Sequence, residues 1–165
     1  MMFRISHMDA ESASRFPAIL DICFGPDRTA KIAYRFRDGV PPCDRFGLAA
    51  HADEGMIGGI QYWPCRVAGV TARLLGPVAV LPAWRGRGAA RALVNQSMDL
   101  VAEAGIDLVV LVGDAALYRQ YGFYPASAQS LFIADENPER VQIRPLTPAG
   151  AAATGEVCTA QEVLA

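Results

Sequence analysis

The first forty residues carry apolar side chains at the spacing of a strand and then of helices. A short apolar segment at residues 3–6 predicts a strand, and a stripe with helical periodicity follows it at Phe16, Ile19, Leu20 and Cys23. Asp9 offers an N-cap for this helix, and the pair Gly25-Pro26 ends it. The next apolar positions predict a second helix over residues 27–39.

The middle of the chain changes to strand-like patterns. Apolar segments at residues 46–51, 56–63 and 70–81 predict three strands, of which the first two are joined by a tight turn. A helix over residues 89–104 follows, with an apolar stripe made by Ala90, Leu93, Val94, Ser97, Val101 and Ala104. Gly105 ends this helix in the left-handed conformation that glycine tolerates.

The next segment is more apolar than any before it. Residues 106–112 contain one charged side chain among leucines, valines and an isoleucine, a composition typical of a strand buried on both faces. Asp114 can cap a short helix over residues 115–121, and strand-like segments follow at Phe123 and at residues 141–144.

This order of elements predicts a mixed α/β fold without internal repeats. We assign residues 1–147 to a single domain, which agrees with the length of the chain. Residues 148–165 are rich in small side chains and lack a clear period. We expect them to form a C-terminal tail that is mobile or docked on a partner.

The composition is that of a globular protein with a full apolar core. Of the 165 residues, 52% are hydrophobic and 19% charged, which excludes disorder as the overall state. The net charge of −2 disfavours a general nucleic-acid binder, because such proteins are usually basic. No apolar run approaches the roughly 18 residues of a membrane span, and the N-terminus lacks the apolar region of a secretory signal.

The cysteines and histidines do not have the spacing of a metal site. There is no CxxC pair, and we expect no metal at any of these positions: Cys23, Cys43, Cys65, Cys158, His7 and His51. A chain of this length needs no disulfides to fold. Reduced thiols in a cytoplasmic protein are therefore the simpler interpretation.

A loop rich in glycine and arginine joins the strand at residues 70–81 to the helix that follows. Its sequence, Arg85-Gly86-Arg87-Gly88, opens a helix whose first N–H groups have no internal partners. Because the two glycines lack Cβ atoms, a ligand can approach the main chain closely. The segment matches neither the Walker nor the Rossmann fingerprint. It favours a phosphate or pyrophosphate site, with a glycine turn and solvated arginines as the alternative.

Two motifs in this region resemble the GCN5-related N-acetyltransferase (GNAT) family. The pattern RxxGxA at residues 85–90 is similar to the family's acetyl-CoA motif, Q/R-x-x-G-x-G/A. Downstream, Tyr118 stands four residues before the pair Gly122-Phe123, as in the family's closing helix. The run LVVLVGDAALYRQYGFYPA also resembles a bacterial subgroup of predicted acetyltransferases. The strong part of the resemblance covers residues 74–126.

The resemblance implies the family's fold and its co-substrate. That fold has a mixed α/β sheet with splayed central strands and flanking helices, and acetyl-CoA would enter between the strands that end at Leu81 and Val112. The pantetheine arm would pair with the main chain of Val78 and Val80. The pyrophosphate would lie on the loop and the first helical turn, at Arg85, Gly86, Arg87, Gly88, Ala89 and Ala90.

The resemblance also implies that an amine attacks the thioester directly. The N–H of Val80, freed by a strand bulge, is the candidate oxyanion donor. Tyr118 is the candidate general acid for the departing thiolate, and a packing role for its ring is the alternative. No carboxylate lies in residues 71–81, where many family members place a glutamate as base. His51 and Glu54 remain as candidates, beside an amine of low pKa or a water chain that needs no residue.

We therefore expect an enzyme that acetylates a primary amine of a small molecule or peptide. The resemblance places the acceptor site near residues 23–28 and 61–63. A non-catalytic acyl-CoA sensor with the same fold and a nucleotide-binding protein that uses the RGRG loop are the alternatives. We expect no nucleic-acid or membrane partner, and a homodimer formed through exposed sheet edges stays an open alternative.

Overall fold

The computed structural model describes residues 2–162, and its central feature is a mixed β-sheet. The strands in this range are β1 Arg4–His7, β2 Leu48–Ala52, β3 Gly55–Val67, β4 Val70–Val80, β5 Leu108–Val112, β6 Tyr124–Pro125, β7 Leu131–Phe132, β8 Val141–Pro145, β9 Gly155–Glu156 and β10 Cys158–Thr159. The α-helices are α1 Ala10–Phe24, α2 Ala89–Glu103, α3 Ala115–Tyr118 and α4 Pro148–Ala151. The mixed α/β class predicted from the sequence is confirmed.

The central strands of the sheet pair only over part of their length. The strand order is β1-β2-β3-β4-β5-β8-β6, with β10 paired to β3, and only β4 and β5 run parallel among these described strands. Their pairing joins residues 72–74 to residues 108–110 and then stops. Because β4 continues to Val80 and β5 to Val112, the two strands part and leave a wedge-shaped opening. The splayed strands expected from the sequence are confirmed.

A bulge interrupts β4 just beyond the point where it parts from β5. The register of β4 against β3 shifts by one residue between Leu75 and Val78, so the additional residue falls at Gly76-Pro77. Proline has no N–H to donate to the neighbouring strand. A Cβ at Gly76 would lie 2.9 Å from the Trp63 ring, so this position has room only for glycine. The bulge changes the direction of β4 as it enters the opening.

The two long helices cover opposite faces of the sheet. Helix α2 buries Leu93 in the main apolar cluster with alternate residues of β2, β3 and β4. Helix α1 packs Phe16 against Ala49 and Ala79, which point to the other face. Within residues 2–162 no helix combines the length and apolarity needed to cross a bilayer.

The second helix predicted over residues 27–39 is wrong in its type. This segment forms two short 3₁₀ helices, Arg28–Ala30 and Ile32–Phe36, and no side chain caps either N-terminus. The segment contains a threonine, an isoleucine and two aromatic residues, all of which have lower helix propensity than alanine or leucine. Only Phe36 is buried in it, so tertiary packing does not impose a longer helix.

Residues 148–162 dock on their own chain. Helix α4 follows Thr147, whose hydroxyl accepts from the N–H of Gly150, while β9 pairs with β7 and β10 with β3. Two-residue strands that pair with distant partners leave no local period, so the sequence alone predicts only a tail here. The domain boundary at residue 147 stays a prediction, and residues 163–165 lie outside the described range.

Candidate active site

A cavity of about 410 Å³ lies beside β4 where that strand has parted from β5. We name it the first cavity, and its lining includes Val78, Val80, Arg85, Gly86, Gly88, Ala89, Ala90 and Tyr118. Arg87 does not belong to this lining, and its guanidinium carbon is 4.7 Å from the centre of the Trp84 ring. Apart from that side chain, the structure brings the predicted site residues together on one surface.

One end of the first cavity is formed by unpaired N–H groups. The first hydrogen bond of α2 runs from Ala92 N to Gly88 O, so the preceding N–H groups have no acceptor within the helix. Gly86 and Gly88 have φ of 79° and 88°, and no atom lies within 4 Å of the place where either would carry a Cβ. No acidic side chain lies in the first turn. This end has the room and the partial positive charge to hold an anion.

The main chain of β4 faces the first cavity at alternate residues. Leu81 N donates to Ile57 O on β3. Because bonded and non-bonded pairs alternate in an antiparallel ladder, Ala79 bonds to β3, while the N–H and C=O groups of Val78 and Val80 point away from it. Those groups face the opening, where an extended ligand would find them.

The bulge expected at Val80 lies at Gly76-Pro77 instead, because Pro77 is the residue that interrupts the ladder. The N–H of Val80 faces the opening through ordinary strand alternation. Its carbonyl oxygen accepts hydrogen bonds from Cys23 Sγ at 3.4 Å and from Arg85 Nε at 3.2 Å. These contacts hold the end of α1 and the start of the glycine- and arginine-rich loop at residues 85–88 against β4.

Tyr118 ends α3 with its ring on the lining of the first cavity. The ring packs against Tyr121 and Phe123, with centroid distances of 6.2 and 6.1 Å. Burial is the main cause that raises the pKa of the Tyr118 hydroxyl, and the neighbouring Tyr121 raises it further. Arg140 acts in the opposite direction. The hydroxyl has no hydrogen-bond partner among residues 2–162. It is therefore a protonated donor at neutral pH, on a residue that lines the cavity.

A second cavity, of about 280 Å³, meets the first one. Phe24, Val78, Leu117 and Tyr118 line both cavities. From this junction the second cavity extends past the bulge to the end of β5 and to the 3₁₀ helices after α1. Its charged lining residues are Arg28, Lys31, Arg37, Asp114 and Arg140. A molecule in the second cavity would reach the same side chains as one in the first.

Neither cavity offers an uncommitted carboxylate as a general base. His51 lies elsewhere, with its Nε2 3.4 Å from Ser12 Oγ, and Glu54 lines neither cavity. Asp114 does line the second cavity, but its Oδ1 accepts from Ala116 N at 2.8 Å and caps α3. Among the described lining residues of the two cavities, Asp114 is thus the one carboxylate, and its Oδ1 serves as the cap of α3.

The acceptor-site residues expected from the sequence separate into two groups. Phe24 and Arg28 line the second cavity. Tyr62 is fully buried, with its hydroxyl 2.7 Å from Ser97 Oγ, and Trp63 is also buried. The second group therefore stabilises the core and does not form the cavity wall.

Sequence reasoning missed Leu117 as a site residue and assigned Phe24 to the acceptor side alone. Their exposed fractions are 51% and 45%, although both are large and apolar. Exposed apolar side chains at the junction of two cavities mark a surface that a ligand covers. The only signal in the sequence is that Leu117 directly precedes Tyr118 in the motif.

One cluster of potential metal ligands lies outside both cavities. The ligand atoms of Glu156, Cys158 and Glu162 lie within 4.8 Å of one another. Burial is the main cause that raises the pKa of Cys158 to about 11, and the two carboxylates add to it. The thiol is therefore protonated at neutral pH. A thiol must lose its proton to bind a metal. The expectation that the protein uses no metal stays a prediction.

Sequence comparison agrees with the two motifs. Residues 4–126 match the sequence model of a family described as "Acetyltransferase (GNAT) domain". The chain is also 38% identical over 120 residues to the uncharacterized N-acetyltransferase YhbS of Escherichia coli K12, and the match covers 69% of each protein.

Structural comparison extends the similarity to almost the whole chain. The crystal structure of YhbS from Escherichia coli in complex with CoA has a TM-score of 0.78 and 32% identity, covering 94% of this chain and 87% of that one. A GNAT family acetyltransferase from Brucella melitensis, solved with acetyl-CoA, shares the fold with a TM-score of 0.70 and 21% identity, over 97% of each chain. With most of its length matched by sequence and by structure, the chain belongs to the GNAT family of acetyltransferases.

Proposed function

We propose that the protein transfers the acetyl group of acetyl-CoA to the primary amine of a small molecule or peptide. The observation that carries this proposal is the junction of two cavities at Val78 and Tyr118. Direct transfer requires donor and acceptor to meet at one point. Here the first cavity ends in an anion site, and the second extends from the junction to the end of β5 and the 3₁₀ helices, where an acceptor can bind. A sensor that only binds acyl-CoA has no use for the second cavity.

The first cavity suits the extended shape of CoA. In the proposed complex, the pyrophosphate accepts hydrogen bonds from the open N–H groups at Arg87, Gly88, Ala89 and Ala90, while Arg85 and Gly86 shape the loop. The pantetheine amides pair with the Val78 C=O and the Val80 N–H, which both point away from β3. The related YhbS of Escherichia coli holds CoA in its crystal structure, which supports this co-substrate.

The proposed reaction needs no covalent enzyme intermediate. The neutral amine attacks the thioester carbonyl carbon and forms the new C–N bond, the C–S bond then breaks, and the amine nitrogen releases its additional proton to water. Tyr118 donates its phenolic proton to the departing thiolate and is reprotonated from solvent. The raised pKa of Tyr118 keeps that proton in place until the thiolate forms.

Two main-chain amides are candidates for stabilising the oxyanion. The sequence prediction assigns this role to Val80, and both Val78 and Val80 have N–H groups that face the opening. Val78 directly follows the bulge and lines both cavities, whereas Val80 lines only the first. The reacting carbonyl must lie where the cavities meet, so we propose the Val78 N–H as the oxyanion donor and Val80 as a pantetheine contact.

The test combines binding with turnover on the purified full chain. Calorimetry should show that CoA binds with one site per chain, and that ATP competes with it only weakly. Release of free thiol from acetyl-CoA should then depend on an added amine, and mass spectrometry should detect the N-acetylated product. Tight CoA binding without turnover on any amine, thiol or alcohol would instead support the acyl-CoA sensor.

We also propose a cytoplasmic location. All four cysteines carry free thiols in the structure. Two of them, Cys43 and Cys65, lie in one region close to Arg73 and do not form a disulfide. Free thiols are typical of reducing compartments. Fractionation of cells that express the chain would test the location, and recovery in an oxidising compartment would contradict it. The homodimer stays a prediction.

A further inference from the structure

The second cavity has a charge that differs from that of the whole chain. Among described residues its lining contains one carboxylate, Asp114, and four cationic side chains, Arg28, Lys31, Arg37 and Arg140. The chain as a whole has a net charge of −2. Four of its 15 basic residues therefore converge on the cavity in which the acceptor amine is proposed to bind.

Arg37 is a half-buried cation of this group that has aromatic neighbours and no ion-pair partner among residues 2–162. Its guanidinium carbon lies 3.7 Å from the centre of the Tyr34 ring and 4.6 Å from that of Trp63. Its Nε is buried without a hydrogen-bond partner, and no carboxylate in residues 2–162 forms an ion pair with it. Burial also lowers the pKa of Arg37. A charge buried in this way lacks the anion that normally accompanies it.

The neighbouring cations fall into a fixed one and two uncommitted ones. Arg28 donates to the Tyr34 hydroxyl at 2.6 Å and to Asp21 at 2.9 Å, so it holds the ring that Arg37 contacts. Lys31 lies 5.4 Å from the centre of the Phe24 ring, at the junction of the two cavities. Neither Lys31 nor Arg140 forms an ion pair within the part of the chain that is described. Three cations are thus available to a ligand.

CoA does not account for these cations. In the proposed complex its thioester lies at the junction of the cavities and its phosphates at the start of α2, where Arg85 and Arg91 line the first cavity. One molecule in that orientation cannot also place a phosphate in the second cavity. The anion that Arg37, Lys31 and Arg140 would bind must therefore belong to the acceptor.

We infer that the acceptor is an amine that also carries an anionic group, a carboxylate or a phosphate, which binds to Arg37, Lys31 and Arg140. This inference rests on the proposed acetyl transfer and names the class of its substrate. Guanidinium and ammonium groups form charge-assisted hydrogen bonds with both kinds of anion. The shape and charge of the cavity thus select the acceptor by its anion and leave the amine free to face the thioester.

The same cations explain how the reaction proceeds without a carboxylate base. Positive charges near an ammonium group disfavour its protonated form and lower its pKa. An amine anchored by its anion in this cavity would therefore lose its first proton to water more readily than in solution. The anion of the acceptor neutralises only part of the charge of the four cationic side chains, and the remaining positive charge favours the neutral amine that attacks.

The experiment compares matched amines that differ only in the anion. Acetylation rates are measured for ω-amino acids and aminoalkyl phosphates against amino alcohols of the same chain lengths. We expect kcat/KM to be higher by about tenfold or more for the members with an anion. Comparing the carboxylate and phosphate series then identifies which anion the cavity takes. Equal rates for charged and neutral members would overturn the inference.

Variants show whether the preference comes from these residues. Arg140→Gln, at an exposed position, and Arg37→Gln should each raise KM for the anionic amine several-fold more than KM for the neutral amine, with CoA affinity unchanged. Arg45→Gln removes the same charge at an exposed position outside both cavities and is the matched control. Because Arg37 contacts two rings, Arg140→Gln decides the outcome if Arg37→Gln fails to fold. An undiminished preference in Arg140→Gln would contradict its role.

A binding measurement decides the matter even without turnover. Lys31 is the only lysine in the chain, so its labelling by an amine-reactive ester can be read by mass spectrometry of one peptide. In the CoA complex, an N-acetylated ω-amino acid should protect Lys31, and the corresponding N-acetylated amino alcohol should not. A protein that binds CoA but shows neither preference nor protection overturns this inference alone. A protein that does not bind CoA overturns the proposed function as well.

Discussion

The ring of Tyr118 packs directly over Gly113, the first residue after β5. A Cβ at position 113 would lie 2.8 Å from Tyr118 Cε2, closer than real Cβ contacts allow. Gly113→Ala should therefore shift the tyrosine ring away from the junction of the cavities. We expect kcat to fall by about ten- to a hundredfold, because small displacements of a reacting group are costly. CoA affinity, measured by calorimetry, should stay within about twofold.

The double variant Gly113→Ala with Tyr118→Phe tests whether this effect acts through the tyrosine. If Gly113→Ala only misplaces Tyr118, the double variant should be no slower than Tyr118→Phe alone. Additive losses would show that position 113 affects turnover by another route.

Tyr118→Phe removes the proposed acid and keeps the ring that packs against Tyr121 and Phe123. We expect kcat to fall by about a hundredfold or more and CoA affinity to change little, since the hydroxyl acts on the departing thiolate. Steady-state rates across pH give a further readout. The wild type should lose activity in the alkaline range where Tyr118 releases its proton, and the variant should lack that limb. A fully active variant would remove Tyr118 from the acid role.

The predictions from sequence that hold are those based on strong local patterns. The pattern that ends at Gly25 delimits α1 correctly, and Asp9 and Asp114 accept the capping hydrogen bonds expected of them. The main chain at Gly86 and Gly88 is also open to a ligand as expected, because no atom lies within 4 Å of the place where either would carry a Cβ. Each of these features depends on residues that are neighbours along the chain.

The features that sequence reasoning missed depend on distant residues. The bulge at Gly76-Pro77 has a local signal in the proline, but the contact of Gly76 with Trp63 on β3 depends on how the strands pair. The charge of the second cavity arises because Arg140, next to β8, lines the same cavity as Lys31 and Arg37. Lys31 lies between the two 3₁₀ helices, and Arg37 directly follows the second one. More than a hundred positions separate Arg140 from Lys31 and Arg37 along the chain. Their shared surface is visible only once the strands have paired.

The buried thiol of Cys65 links stability to pH. Burial raises its pKa from 9.0 to about 12 in the folded state. Between these values the unfolded chain releases this proton and the folded chain retains it, so the free energy of unfolding should fall as pH rises, by about 1.4 kcal/mol per pH unit. Below pH 9 the thiol is protonated in both the folded and the unfolded chain, so it adds nothing to the pH dependence of the free energy of unfolding. Urea unfolding of wild type and Cys65→Ala, compared from neutral to alkaline pH, should show a gap that closes above pH 9. A constant gap would contradict the assignment.

The anion site at the start of α2 is tested by adding bulk and negative charge there. Gly88→Glu places a carboxylate where the pyrophosphate is proposed to bind, at a residue with φ of 88° and open space around it. The matched control is Gly69→Glu, in the turn between β3 and β4, which has φ of 78° and equally open surroundings outside the first cavity. Both variants carry the same backbone strain and the same charge. We expect a comparable loss of thermal stability in the two, and loss of CoA binding only in Gly88→Glu, because only there does the carboxylate repel the phosphates. Equal CoA affinity in both variants would show that the phosphates bind elsewhere.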